Sequence, residues 1–197
     1  MPDEETPEEL AGQPVISFAT VPDGEAWFAE HCADHRGFWL KIGKMGAAQT
    51  INYAEALDIA LCHGWIDGQK RGYDETYWLQ RFTPRGPRSK WSQINRDKAE
   101  ALIKAGRMCP AGQAQVDAAK ADGRWAAAYA GQKSATVPDD LAAALAADLQ
   151  AKAFFEALRG ANRFAILYRV HDAKKPETRA ARIAKFVEMC HNHETVH

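Results

Sequence analysis

The residue composition changes near Ser92, and this change constrains the fold more than any other feature of the sequence. Before it, short segments rich in aromatic and β-branched residues stand among helical patterns. Beyond it alanine and leucine dominate, most of all over residues 138–191, where Pro138 and Pro176 mark expected helix starts. We therefore predict an α+β fold, in which a small N-terminal sheet with packed helices is followed by a helical C-terminal region.

Local patterns divide the chain into three predicted parts. Residues 1–13 carry five acids and no base, which predicts a disordered tail. Residues 14–92 are predicted to form an α+β half with a basic-aromatic loop, and residues 93–197 a helical half that makes one compact unit with it. The expected elements are strands over 15–18, 38–42 and 76–83, a helix started by an Asn52/Glu55 capping box, a turn at Asp67-Gly68, and helices over 93–105 and from Pro110 to near Gly123.

The bulk composition indicates a globular protein of the cytoplasm. The 197 residues carry a net charge of -1, so no global field directs the chain to nucleic acid or to membranes. The four cysteines lack CxxC spacing, which favours reduced thiols over a disulfide framework, and we predict no metal and no cofactor. The N-terminus does not read as a signal peptide and no apolar run is long enough to cross a bilayer, so we predict no membrane insertion.

The segment YWLQRFTPRGPRSKWSQIN, residues 77–95, places four aromatic residues among four basic ones without an acid. Arginine forks bind phosphate or carboxylate through paired hydrogen bonds, and aromatic rings stack on bases. This pattern predicts a site for an anionic ligand. The alternative is structural: the aromatic residues belong to the core, and the arginines are solvated or pair with internal acids.

Residues that flank this loop could complete such a site. Asp67 in the GWIDG segment could orient Arg81 or Arg85, act as a general base or a metal ligand, or bond only its own turn. The helix start near Ser92 could offer backbone N–H groups to an anion, or it could be an ordinary cap. The predicted groove consists of Trp65, Asp67, Trp78, Arg81, Arg85, Arg88, Ser89, Trp91, Ser92 and Asn95.

Several motifs resemble the signature of the YdeI/OmpD-associated family: GWIDGQ (64–69), RFTPR (81–85), SKWSQIN (89–95), GRMCPAG (106–112), DGRW (122–125) and PETRAARIAKFVE (176–188). The resemblance covers roughly residues 25–190. It implies a bacterial protein linked to bacteriocin and antimicrobial-peptide protection. Part of the family is described as periplasmic and associated with an outer-membrane porin. Because this sequence shows no export signal, we expect a cytosolic, stress-related role rather than a porin partnership.

Three functions follow from the sequence as hypotheses. The first is a non-catalytic cytosolic protein of stress response or antimicrobial-peptide protection that binds an anionic ligand in the predicted groove. The second is a nucleic-acid-binding protein, whose affinity would fall steeply with salt. The third is an enzyme of unknown reaction centred on Asp67, or on Cys62 beside His63.

Overall fold

A computed structural model of the chain describes residues 8–33 and 36–197. The chain divides into two compact units, which we call the first and the second unit. The first comprises the residues up to Trp91 together with Asn95–Ala127, and the second comprises Ser92–Ile94 and Ala128–His197. The predicted α+β fold is confirmed, with an N-terminal sheet and helices followed by a helical C-terminal region.

Among the described residues, five strands form one sheet in the first unit: β1 Glu9–Leu10, β2 Gln13–Ile16, β3 Phe38–Gly43, β4 Trp65–Gly72 and β5 Tyr77–Pro84. Their order is β1-β2-β3-β5-β4, with β2 and β3 parallel and the other neighbours antiparallel. Residues 9–13, which the sequence analysis places in a disordered tail, instead form β1 and the beginning of β2. The positive φ angles of Ala11 and Gly12 close the turn between them. The rest of that predicted tail, residues 1–7, lies outside the described residues.

The helices of the first unit begin at local signals in the sequence. Thr20 and Asp23 cap α1, Val21–His31, and Asn52 and Glu55 form the predicted capping box of α2, Tyr53–Cys62. Two further helices follow, α3 Gln93–Lys104, whose first two residues belong to the second unit, and α4 Pro110–Ala121. The helices and the sheet share an aromatic core in which Phe28, Phe38, Trp65 and Phe82 are almost fully buried.

The β4–β5 hairpin turns later than the sequence indicates. Strand β4 runs through Asp67 and Gly68, and its pairing with β5 shifts register between Asp67 and Lys70, which is a β-bulge. The predicted turn at Asp67-Gly68 is therefore wrong. The chain reverses beyond Gly72, where the Asp74 carboxylate accepts hydrogen bonds from the backbone N–H groups of Thr76 and Tyr77, both at 2.7 Å.

Helices build the second unit: α5 Asp139–Ala146, α6 Leu149–Ala157, α7 Gly160–Asp172 and α8 Pro176–His191. The two prolines fall where the sequence predicts helix starts, Pro138 as the N-cap of α5 and Pro176 as the first residue of α8. A separate core holds these helices together, with Leu141, Phe155 and Val170 at its centre. Within the part of the chain that the structure describes, no helix combines the length and apolarity needed to cross a bilayer.

Candidate functional site

The residues of the predicted groove do not converge on one ligand site. Paired residues of neighbouring strands point to the same face of a sheet, and successive residues point to opposite faces. Arg81 pairs with Trp39, whereas the next residue, Phe82, pairs with Asp67. Arg81 and Asp67 therefore lie on opposite faces of the sheet. Arg81 donates from Nε to the side-chain oxygen of Gln13 at 2.8 Å, so Asp67 is not its orienting partner.

Trp65 belongs to the core instead of lining a groove. It is 1% exposed, and its ring centroid lies 5.2 Å from that of Phe28 and 5.8 Å from that of Phe38. The indole N–H donates to the backbone oxygen of Cys32 at 3.2 Å. Trp65 thus anchors β4 against α1 from inside the fold.

Arg85 and Trp91 form a buried stack. The Arg85 side chain is 5% exposed, and its guanidinium carbon lies 3.6 Å from the centre of the Trp91 ring system. Its Nη1 donates to the backbone oxygen of Lys90 at 3.2 Å. The Trp91 ring also meets the Trp125 ring edge-on, at 4.8 Å between centroids. Trp91 therefore belongs to the core, as the structural alternative predicted, and Arg85 is buried against it.

Asp67 lies in a polar cluster with Tyr53 and Asn95. The Tyr53 hydroxyl donates to Oδ2 of Asp67 at 2.8 Å, and Nδ2 of Asn95 donates to Oδ1 at 3.4 Å. Asn95 is itself buried, with 8% of its surface exposed. The Asp67 carboxylate is thus held by neutral donors from α2 and α3, an arrangement that fixes the beginning of β4.

The three remaining loop residues have separate surroundings. Ser89 closes a turn, since its hydroxyl accepts from the backbone N–H of Gly86 at 3.0 Å and its backbone oxygen accepts from Nη1 of Arg124 at 2.9 Å. Arg88 is exposed in the same turn. Ser92 is buried in the second unit, where it forms a parallel β-bridge with Tyr129.

Accessible positive charge lies not only at Arg88 and Lys90 of this loop but also on the sheet, at the far end of the β4–β5 hairpin and the adjacent part of β3. Lys70 pairs with Gln80, so it shares a face with Trp78, and its Nζ lies 4.1 Å from the Trp78 ring centre. Lys41 pairs with Leu79, so it shares the opposite face with Tyr77, and its Nζ lies 4.8 Å from that ring and 4.5 Å from the ring of Tyr73. Together with the exposed Arg71 these residues form what we call the hairpin surface: Lys41, Lys70, Arg71, Tyr73, Tyr77 and Trp78.

Only Trp78 of the hairpin surface belongs to the groove predicted from sequence. Lys41 and Lys70 are far apart in the chain, and neither stands in an unusual motif. Strand alternation places each lysine beside an aromatic residue once the register between the strands is known. A turn at Asp67-Gly68 would end the strand before Lys70 and Arg71, so the predicted turn gives no register for these two residues.

Cys62 does not have the properties of a nucleophile. It is 4% exposed, and burial raises the pKa of its thiol to about 11. A thiol must ionise in order to react, and near neutral pH this one remains protonated. Of the two centres in the enzyme hypothesis, Cys62 lies within the core and Asp67 bonds to Tyr53 and Asn95.

Comparisons with known families divide the chain in two. Residues 16–115, just over half of the chain, match the family described as Domain of unknown function (DUF8412). Residues 134–193 match the family described as Bacteriocin-protection, YdeI or OmpD-Associated. No curated protein and no solved structure matches the chain. The motif PETRAARIAKFVE lies inside the second match, and GWIDGQ, RFTPR and SKWSQIN lie inside the first. The chain therefore belongs to the DUF8412 family and carries, over residues 134–193, a domain of the YdeI or OmpD-associated bacteriocin-protection type.

Proposed function

We propose that this protein is a non-catalytic binding protein of bacteriocin or antimicrobial-peptide protection and stress response, acting in the cytoplasm, and that it binds an anionic ligand at the hairpin surface. The observation that carries the binding proposal is the position of the Lys41 and Lys70 amino groups over aromatic rings on the two faces of the hairpin. The match over residues 134–193 supports the link to bacteriocin protection. The four free cysteines support a reducing compartment.

Cations on both faces give the hairpin surface its affinity for anions. Lys41 and Arg71 both pair with Leu79 and share one face of the hairpin, and Lys70 lies beside Trp78 on the other face. The aromatic rings restrict the two lysine side chains, which lowers the entropic cost of fixing them on a ligand. Strand β4 is the last strand of the sheet, and its second half is exposed, so a large ligand can reach this end of the hairpin.

Single-stranded nucleic acid is the second candidate, and the half-exposed rings favour it. Tyr77 and Trp78 are each partly accessible beside a lysine. Stacking of a base on an aromatic side chain contributes about 1–3 kcal/mol, whatever the base. A ligand with both phosphates and bases would use a cation together with the ring beside it on the same face, Lys70 with Trp78 or Lys41 with Tyr77.

The test is a binding titration of the chain and its variants at several salt concentrations. The ligands are a single-stranded oligonucleotide and heparin, which has the charge but no bases. We expect saturable binding of the oligonucleotide, and Lys70→Ala and Lys41→Ala should each weaken it. Each lost phosphate contact should also reduce the slope of log affinity against log salt by about 0.7.

Lys104→Ala is the matched control, because Lys104 is exposed at the end of α3 and its loss removes the same charge. Binding that responds equally to Lys70→Ala and Lys104→Ala would contradict the proposed surface. Trp78→Leu separates the two candidates: weaker binding of the oligonucleotide but not of heparin favours nucleic acid. Equal effects on both ligands favour a general anion site.

A further inference from the structure

A second feature of the first unit, which shares no residue with the hairpin surface, is a cavity of about 340 Å³ that contains two thiols and an imidazole. Its lining includes residues of α1, the C-terminal part of α2, and the segment that leads into α4. The lining residues are Glu25, Ala29, Ile59, Cys62, His63, Arg107 and Cys109. The hairpin surface uses none of them.

Close packing of two helix ends brings the reactive groups together. The backbone N–H of Cys109, the N-cap of α4, donates to the backbone oxygen of Cys62 at the end of α2, at 3.2 Å. Gly112 in the first turn of α4 permits this approach, since a Cβ there would lie 2.2 Å from the same oxygen. As a result, Sγ of Cys109 lies 3.7 Å from Nε2 of His63, although 46 residues separate them.

His63 is placed to accept a proton from the Cys109 thiol. Its ring stacks on Phe28 at 5.4 Å between centroids, which fixes its orientation. Burial lowers the pKa of His63 below its ordinary value, so the ring is neutral near neutral pH and Nε2 can accept a hydrogen bond from the thiol. Burial also raises the pKa of Cys109, so this thiol needs such a base in order to ionise.

Cys109 is more accessible than Cys62, the other thiol of the cavity lining. Cys62 is buried in the core, whereas Cys109 is only partly buried and opens on the cavity. Arg107 and Glu25 lie beside it as an ion pair at 3.2 Å, with side chains that are 42% and 49% exposed. A small molecule can therefore reach the thiol past side chains that solvent already reaches.

We propose that Cys109 is a covalent modification site that exchanges with small disulfides, with His63 as the proton acceptor. The thiol proton passes to Nε2 of His63, and the thiolate attacks one sulfur of the disulfide. A bond forms between Sγ and that sulfur while the disulfide bond breaks. The released thiolate takes the proton from the imidazolium, so the products are a mixed disulfide at Cys109 and one free small thiol.

The test uses the full chain, a neutral probe and an internal standard. The chain is incubated with bis(2-hydroxyethyl) disulfide near neutral pH, and modification of each cysteine is followed over time by peptide mass spectrometry. Cys32, which is partly exposed like Cys109, is the standard. We expect Cys109 to be modified faster than Cys32, while the buried Cys62 and Cys190 stay protected. Equal rates at Cys109 and Cys32 in the unaltered chain would overturn the proposal.

A His63→Gln variant tests the proton acceptor. It should lower the rate at Cys109 by about tenfold or more, because it removes a general base, and leave the rate at Cys32 unchanged. Continued protection of Cys62 and Cys190 shows that the variant is folded. A folded variant with an unchanged rate at Cys109 would overturn the role of His63. If the variant does not fold, the comparison of Cys109 with Cys32 in the unaltered chain still decides the proposal.

Discussion

Arg85 and Arg88 stand three positions apart in the same loop, yet their surroundings give them different roles. Arg85 is buried with its guanidinium against Trp91, whereas Arg88 is exposed in the turn that Ser89 closes. Arginine tolerates burial of this kind because its flat, weakly hydrated head stacks on aromatic rings while its N–H groups bond to carbonyls. We therefore assign Arg85 to the stability of the loop, and not to ligand binding.

Arg85→Lys tests this assignment. A lysine keeps the charge but cannot stack as a plane and also donate sideways to the Lys90 backbone oxygen, so we expect the free energy of unfolding to fall by about 1–3 kcal/mol. Urea denaturation followed by tryptophan fluorescence measures the change. Arg88→Lys is the control and should shift stability by no more than about 0.5 kcal/mol. An Arg85→Lys variant with unchanged stability and impaired anion binding would instead support the groove predicted from the sequence.

At the scale of single residues, the sequence patterns predicted which types of side chain the segment 77–95 contains, but not which residues surround each side chain. The segment 77–95 does combine cations and aromatic rings, but Arg85 and Trp91 stack on each other inside the fold. The partners of Asp67 are 14 and 28 residues away, in Tyr53 and Asn95, and no local pattern points to either. Such contacts depend on strand register and helix packing, which single-residue reasoning does not supply.

At the scale of elements, local signals predicted where helices begin. They failed where contacts between distant segments determine the course of the backbone. The capping box at Asn52 and Glu55 and the predicted strand over 38–42 depend on residues close in the chain, and both are confirmed. The Asp67-Gly68 pair has turn chemistry, yet cross-strand pairing with β5 carries the strand through it as a bulge. The contact between α2 and α4 could not be predicted from local signals either. It requires Gly112, and the need for a glycine there follows only from the close approach of the two helix ends.

Gly112→Ala tests the contact between α2 and α4. The added Cβ would lie 2.2 Å from the backbone oxygen of Cys62 and 2.7 Å from that of Leu61, so one helix end has to move. We expect a loss of about 1–3 kcal/mol in the free energy of unfolding, although alanine favours helix more than glycine does. The same shift should separate Cys109 from His63 and slow its reaction with disulfides.

Gly72→Ala is the matched control for this substitution, since a Cβ at that position meets nothing within 4 Å. It should leave both the unfolding free energy and the reactivity of Cys109 close to those of the unaltered chain. An increase in stability for Gly112→Ala would mean that the close approach of the two helix ends does not limit packing.

At the scale of the whole molecule, the two family matches and the two compact units correspond. Almost all of residues 16–115 lie in the first unit, and residues 134–193 lie in the second. The hairpin surface and the Cys109 cavity both belong to the first unit, whereas the match to bacteriocin-protection proteins lies in the second. The match to bacteriocin-protection proteins and the proposed binding chemistry therefore concern different parts of the chain. Each can be tested by substitutions that leave the other part unchanged.

One arginine joins three helices of the second unit, and its ion pair makes part of that unit's stability sensitive to acid. Arg179 of α8 donates to Asp140 of α5 from Nε at 2.5 Å and from Nη2 at 2.8 Å, and from Nη1 to the backbone oxygen of Val170 in α7 at 2.8 Å. Hydrogen bonds from Arg179 lower the pKa of Asp140 below its ordinary value of 3.8. Because the folded pKa is the lower one, the pair contributes its full stabilisation above pH 3.8 and loses it as the pH falls through the folded value.

Asp140→Asn should therefore lower the unfolding free energy near neutral pH and make less difference in acid. The Asp140 side chain is 46% exposed, so solvent screens the pair and we expect a loss of only about 0.5–1 kcal/mol. Circular dichroism at the helical band is the suitable measurement, since every tryptophan lies in the first unit and helices build the second. Asp139→Asn removes the same charge from the same helical turn, outside the ion pair with Arg179, and should have a smaller effect. Equal losses for the two variants would show that charge at the start of α5, and not the bond to Arg179, provides the stabilisation.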